Sequence, residues 1–183
     1  MNIFKLYCTK KYMRAGLWES IRRHLEDYPE RLKVARVLVE KGLTVRNGKI
    51  YLNEIEIPSV RIARAAGVDR RTVSETIATI AANRELRDIF EGLRSAGHSL
   101  KEIARHLGLG VVEITPIDAR LPGILANSAM ILAERGISIR QAITDDPELS
   151  PEPKLTLIAD RKIPGELIPE FLRVKGVAKV SIY

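Results

Sequence analysis

The chain has 183 residues, 45% of them hydrophobic and 29% charged, a balance that excludes a mainly disordered protein and fits one large domain or two small ones. No apolar run approaches the ~20 residues of a membrane span, and the opening MNIFKLYCTKKY has neither the apolar core nor the cleavage site of a signal peptide. A single cysteine, Cys8, excludes an internal disulfide framework and a multi-cysteine zinc site, so the expectation is a cytoplasmic protein without a membrane partner.

The net charge of +7 is unevenly spread. Lys and Arg exceed Asp and Glu by eight over residues 1–110, whereas residues 111–183 carry a net charge of −1. One half is therefore suited to a polyanion and the other is not.

In chain order, residues 1–16 read as a basic arm. Apolar residues at three- and four-residue spacing predict helices over Leu17–Leu25 and Leu32–Val39, and Gly42 stops the second. LTVRNGKIYL then predicts a β-hairpin, because Asn47-Gly48 suits a type I′ turn. Arg46 and Lys49 beside that turn could touch a nucleic-acid backbone only weakly, since the hairpin precedes the helix pair described next. Helical pattern returns from Ser59 to Leu107. After Gly110 the period becomes strand-like, which predicts domains over 17–108 and 109–183.

The clearest constellation of the helical half is PSVRIARAAGVDRRTVSETIATI, residues 58–80. Ser59 is expected to cap one helix, Gly67 to make a tight turn, and Asp69 to cap a second helix with Val73, Ile77 and Ile80 facing inward. The small Ala63, four residues before Gly67, lets the two helices cross closely. This is the spacing of a helix-turn-helix, whose second helix enters the major groove of double-stranded DNA. Arg70, Arg71, Thr72, Ser74 and Glu75 are the candidate DNA-contacting residues, with Ala78 on the same outward side. A glycine turn between helices also occurs in ordinary helical domains, so the basic excess of the same half tips the reading. Glu75 counts against it. A partial echo, SLKEIARHLGL over 99–109, predicts a packing helix opened by a Ser99–Glu102 capping box.

The second half reads β-α-β-β-α-β: strand Val111–Thr115, helix from Gly123 to Arg135, strands carrying Ile137, Ile139, Gln141 and Ile143 on one face and Leu155, Leu157 and Ala159 on one face, a helix whose regular part begins near Ile168, and a last strand with Ala178, Val180 and Ile182. One sheet with two helices on a face is the ferredoxin-like arrangement. The expected class is α+β, a mostly helical helix-turn-helix domain with a β-hairpin followed by a ferredoxin-like βαββαβ domain.

The segment DARLPGILANSAMILAERGISI resembles the strand–loop–helix–strand of the ACT domain, a module that binds amino acids. Leu17–Tyr183 as a whole resembles the archaeal proteins described as predicted regulators of amino acid metabolism, most strongly in DRRTVSETI, GISIRQAITDDPEL and EPKLTLIADRKIPGELI. The resemblance implies an effector site at the loop before the first helix of the domain, where backbone N–H groups receive a carboxylate. Pro122 and Gly123 match the family's Pro-Gly, and Ile124 and Leu125 the apolar residues after it. Arg120 stands where the family has an acidic residue, and Asp118, four residues before Pro122, is the substitute candidate for an amino group. Ser138 and Gln141 are the candidates from the second strand. Gly123 also fits a plain tight turn, and Gln141 an edge-strand surface residue. The resemblance further implies a homodimer or higher oligomer paired through the ACT domain.

Catalysis finds little support. His24, His98 and His106 show no metal-ligand spacing, and there is no nucleophile elbow, P-loop or dinucleotide fingerprint. Asp145 and Asp146, adjacent at a strand end, read as a solvated turn. The expectation is a non-enzyme with no cofactor: a transcription regulator responding to a free amino acid. Alternatives are a non-catalytic regulatory subunit that docks on a metabolic enzyme, and a small-molecule-binding protein whose helix-turn-helix no longer touches DNA.

Overall fold

The computed structural model describes residues 16–183, so the expected N-terminal arm, apart from Gly16, lies outside the described residues. The chain divides into two units, Met1–Ala96 and Gly97–Tyr183. The division falls earlier than the change of period at Gly108–Gly110, because Leu100, Ala104 and Leu109 pack with Val111 and Ile158 of the second unit's sheet.

In the first unit, α1 (Leu17–Leu25) and α2 (Pro29–Glu40) precede a three-stranded antiparallel meander and three further helices. Pro29 opens α2 at a position where its missing N–H costs nothing. Strands β1 (Thr44–Arg46) and β2 (Lys49–Leu52) pair Arg46 with Lys49, leaving Asn47 and Gly48 as a two-residue loop with φ of 51° and 73°. Two positive φ values make the type I′ turn that Asn-Gly favours. A third strand, β3 (Ile55–Ile57), was not expected. It joins through a second two-residue turn, with Leu52 opposite Ile55 and Asn53 at φ 54°. Helices α3 (Ser59–Ala66), α4 (Arg70–Ala82) and α5 (Arg84–Gly92) follow. The N-cap of α3 is Pro58, and Ser59 is its first residue rather than the cap expected. Ile21, Leu25, Val34, Leu38, Val73, Ile80, Leu86 and Phe90 are buried and form the centre of the unit.

The second unit is a four-stranded antiparallel sheet in the order β5-β6-β4-β7, with β4 Gly110–Pro116, β5 Ile139–Thr144, β6 Leu155–Ala159 and β7 Val177–Ile182. Helices α6 (Ile124–Glu134) and α7 (Ile168–Arg173) complete β-α-β-β-α-β, the ferredoxin-like arrangement. Val112, Ile114, Leu155, Leu157 and Ala159 bury one sheet face beneath Ile124, Leu132, Leu167 and Phe171.

Two further expectations change. Residues 99–109 are not a regular helix: a short 3-10 turn spans Lys101–Ile103, and Ser99 Oγ accepts from Lys101 N at 3.3 Å instead of forming the expected capping box. Strand β5 does not keep Ile137, Ile139, Gln141 and Ile143 on one face. Ile139 opposes Ala159 but Gln141 opposes Ile158, so Arg140 is the extra residue of a bulge. One inserted residue reverses the facing of everything beyond it. Ile137 and Ile139 therefore join the helix-covered core, whereas Gln141 lies opposite Ile158, whose side chain packs in the cluster on the other face. Among the described residues, no helix is long and apolar enough to cross a membrane.

Candidate functional site

The turn between α3 and α4 forms as its residues dictate. Gly67 ends α3 with φ 66° and ψ 36°, a left-handed conformation that costs glycine little. Val68 N and Gly67 N return to the carbonyls of Ala63 and Arg64. Asp69 then caps α4, its Oδ1 accepting from Thr72 N at 2.8 Å and from Thr72 Oγ1 at 3.3 Å. The backbone N–H of Thr72 is the main reason the Asp69 carboxyl titrates below its usual range. Val73, Ile77 and Ile80 are buried, which turns the opposite side of α4 to solvent.

On that outward side Arg70, Arg71 and Ser74 are exposed, and Thr72 and Glu75 are partly so. Arg61 and Arg64 of α3 are exposed as well. Thr72 is engaged by the cap, and Ser74 Oγ donates to Arg70 O at 3.2 Å. Glu75 is not a free repulsive charge: it accepts from Arg71 Nε at 2.9 Å and from Arg31 Nη2 at 3.0 Å. The cations of the meander are neutralised within it, Arg46 by Glu54 at 3.0 Å and Lys49 by Glu56 at 2.7 Å. Arg61, Arg64 and Arg70 leave exposed positive charge on the α3–α4 pair, of a kind suited to a polyanion.

In the second unit a cleft of about 150 Å³ opens beside the start of α6. Gly123, Ile124 and Leu125 line it, as do Thr144, Asp145, Lys154 and Leu155 from the ends of the two neighbouring strands. Gly123 has φ 93°, and a Cβ there would lie 3.2 Å from Asn127 Nδ2. The first intrahelical bond is Asn127 N to Gly123 O at 2.9 Å, so the amides of Ile124, Leu125 and Ala126 have no carbonyl one turn back.

The other expected effector residues are not brought together there. Asp118 Oδ1 accepts from Arg120 N at 2.9 Å and closes its own loop. Pro122 is exposed next to Gly123. Ser138 precedes the strand end where Ile139 meets Ala159, whereas the cleft lies where Thr144 meets Leu155, at the other end of β5. Gln141 is already used: its Oε1 accepts from Leu100 N at 2.9 Å and its Nε2 donates to His98 O at 3.0 Å. It fastens residues 98–100 to the sheet. Thr144, Asp145 and Lys154 were missed because they meet Gly123 only through the strand order. Asp145, expected in a solvated turn, closes the loop to β6, with its N donating to Lys154 O at 2.9 Å and its Oδ2 accepting from Lys154 N at 3.1 Å.

No family model matches the chain, and no curated protein matches it. Solved structures similar to it include the following two. A single-residue mutant of Rv3291c is 16% identical, with 85% of this chain and 90% of that one covered and a TM-score of 0.25. The leucine response regulatory protein LrpA of Mycobacterium tuberculosis is 16% identical, with 84% and 89% covered and a TM-score of 0.26.

Proposed function

We propose that this chain is a non-enzymatic transcription regulator of amino acid metabolism, binding double-stranded DNA through α3–α4 and a free amino acid through an ACT-type second unit. The observation that carries the reading is the exposure of Arg70, Arg71 and Ser74 at the first turns of α4, on a helix whose opposite side is buried. Side chains at the start of the second helix of such a pair are those that meet phosphates and base edges. The resemblance to ACT-containing regulators supports the second part. On that reading the amides opening α6 receive the effector's carboxylate, Gly123 lets it approach, and the apolar cleft wall takes its side chain. Dimers paired through the second unit would present two α4 helices to half-sites one DNA turn apart, or a multiple of it. An effector then changes DNA affinity only through a difference in its affinity for the two dimer states, typically about 5–150-fold.

Genomic DNA selection with the purified chain, with and without a pool of amino acids, tests this. The expected result is enrichment of near-palindromic duplexes whose affinity changes several-fold with one amino acid, by a dimer or larger in light scattering. Arg70→Ala with Arg71→Ala should weaken binding and lower the salt slope by about 0.9 for each phosphate no longer neutralised. Amino acid binding without DNA enrichment would favour a regulatory subunit of an enzyme instead.

A further inference from the structure

Glu75 stands on the face proposed to meet DNA, where a carboxylate should repel phosphates. The structure gives it a different use. Its Oε1 accepts from Arg71 Nε at 2.9 Å and its Oε2 from Arg31 Nη2 at 3.0 Å. Arg31 belongs to α2, 44 residues earlier in the chain. Its Nη1 donates to Thr79 Oγ1 at 3.1 Å, and its guanidinium carbon lies 4.2 Å from the centre of the Tyr28 ring. Exposure rises from α2 outward: 22% for the Arg31 side chain, 39% for Glu75 and 87% for Arg71. The hydrogen bond from Arg31, then that from Arg71, holds the Glu75 carboxyl below its usual range, so it stays ionised. A braced anion thus holds the exposed Arg71 cation, whose charge also acts on the Asp69 carboxyl.

An unsupported arginine gives up rotamer freedom on binding. Held through Nε, Arg71 keeps both Nη groups available as a planar fork. That fork matches O6 and N7 of guanine in the major groove, whereas a phosphate contact needs no such orientation. We propose, on the reading that α4 enters duplex DNA, that Glu75 is a positioning residue which, braced by Arg31, fixes Arg71 as the side chain that selects a G·C pair.

The test uses the full chain, a duplex enriched from a random-sequence library, and a scrambled duplex of the same length. If Glu75 were only an acidic blemish, Glu75→Gln would tighten binding to both duplexes alike, since a negative charge leaves the surface. As a positioning residue, its removal should reduce the ratio of the two affinities about ten-fold while binding to the scrambled duplex is kept or strengthened. Arg31→Lys, which keeps the charge but removes the fork, should reduce the same ratio from α2 and carries the test should Glu75→Gln fail to fold. Repeating the enrichment with Arg71→Ala should abolish the preference for one G·C pair. An unchanged ratio in folded Glu75→Gln or Arg31→Lys, or an intact G·C preference in Arg71→Ala, overturns the positioning role and leaves DNA binding standing. A wild-type chain that enriches no duplex overturns both.

Discussion

The ammonium of Lys101 lies 2.8 Å from Oε1 of Glu113, which is only 8% exposed on β4. Burial pushes the Glu113 carboxyl upward, but the hydrogen bonds from Lys101 and Tyr183, with the charges of Lys101 and Lys154, outweigh it and leave the group below its usual range. A carboxyl that binds its proton less readily when folded stabilises the fold above its unfolded-state pKa, about 4.3, and that contribution disappears as pH falls through the lower folded value. The melting temperature should therefore drop on acidification below about pH 4.5, and less steeply in Glu113→Gln. Lys101→Met should cost about 1–2 kcal/mol at pH 7, because it strands a buried charge, moderated by the 37% exposure of the Lys101 side chain. Thermal melts over a pH series check both outcomes, and equal slopes in wild type and Glu113→Gln would remove Glu113 from the account.

Gly123→Val should cost about 1–2 kcal/mol in stability, since valine is strained at φ 93° and its Cβ would press on Asn127. It should also abolish amino acid binding by filling the approach to the amides of α6. Calorimetry against the standard amino acids, beside a melting curve, separates the two effects. Undiminished binding in the folded variant would place the effector elsewhere.

Gln141→Ala should leave amino acid binding intact and loosen the segment before β4, because both ends of the Gln141 amide hold backbone at 98–100. Hydrogen exchange reads this directly. The Leu100 amide should lose protection relative to amides of β6, and unchanged protection would show that other interactions hold the segment.

Two glycines of the first unit should respond differently to alanine. At Gly42, φ is 60° and a Cβ would lie 2.7 Å from Arg94 O and from Ser95 Cα. At Gly48, φ is 73° but nothing among the described residues lies within 4 Å of the new Cβ. Gly48→Ala should cost only the backbone strain, about 1 kcal/mol. Gly42→Ala should cost more than twice that, because backbone must also move. Denaturant unfolding of the two variants gives the comparison.

Local chemistry made much of this molecule legible. Asn47-Gly48 specified its hairpin turn, and Gly67 with Asp69 specified the α3–α4 junction, because each acts on backbone within a few residues. The inward side of α4 followed from helical period alone. β3 was not legible: Ile55–Ile57 is too short for a pattern and is a strand only because β2 pairs with it. The face of Gln141 was misjudged for a related reason. A period-2 pattern cannot reveal a bulge, and Arg140 is extra only against the register of β6.

The sequence by itself determined the β-α-β-β-α-β order of the second unit, the division of charge between the halves, the turn at Gly67 and the outward placement of Arg70 and Arg71, since these depend on neighbours in the chain and on local period. Tertiary structure alone decided what those side chains meet. It brought Arg31 to Glu75 across 44 residues, set Thr144 and Lys154 beside Gly123 through antiparallel strand order, and used Gln141 to hold another segment of backbone. Such pairings depend on how whole elements pack, and no local spacing encodes them.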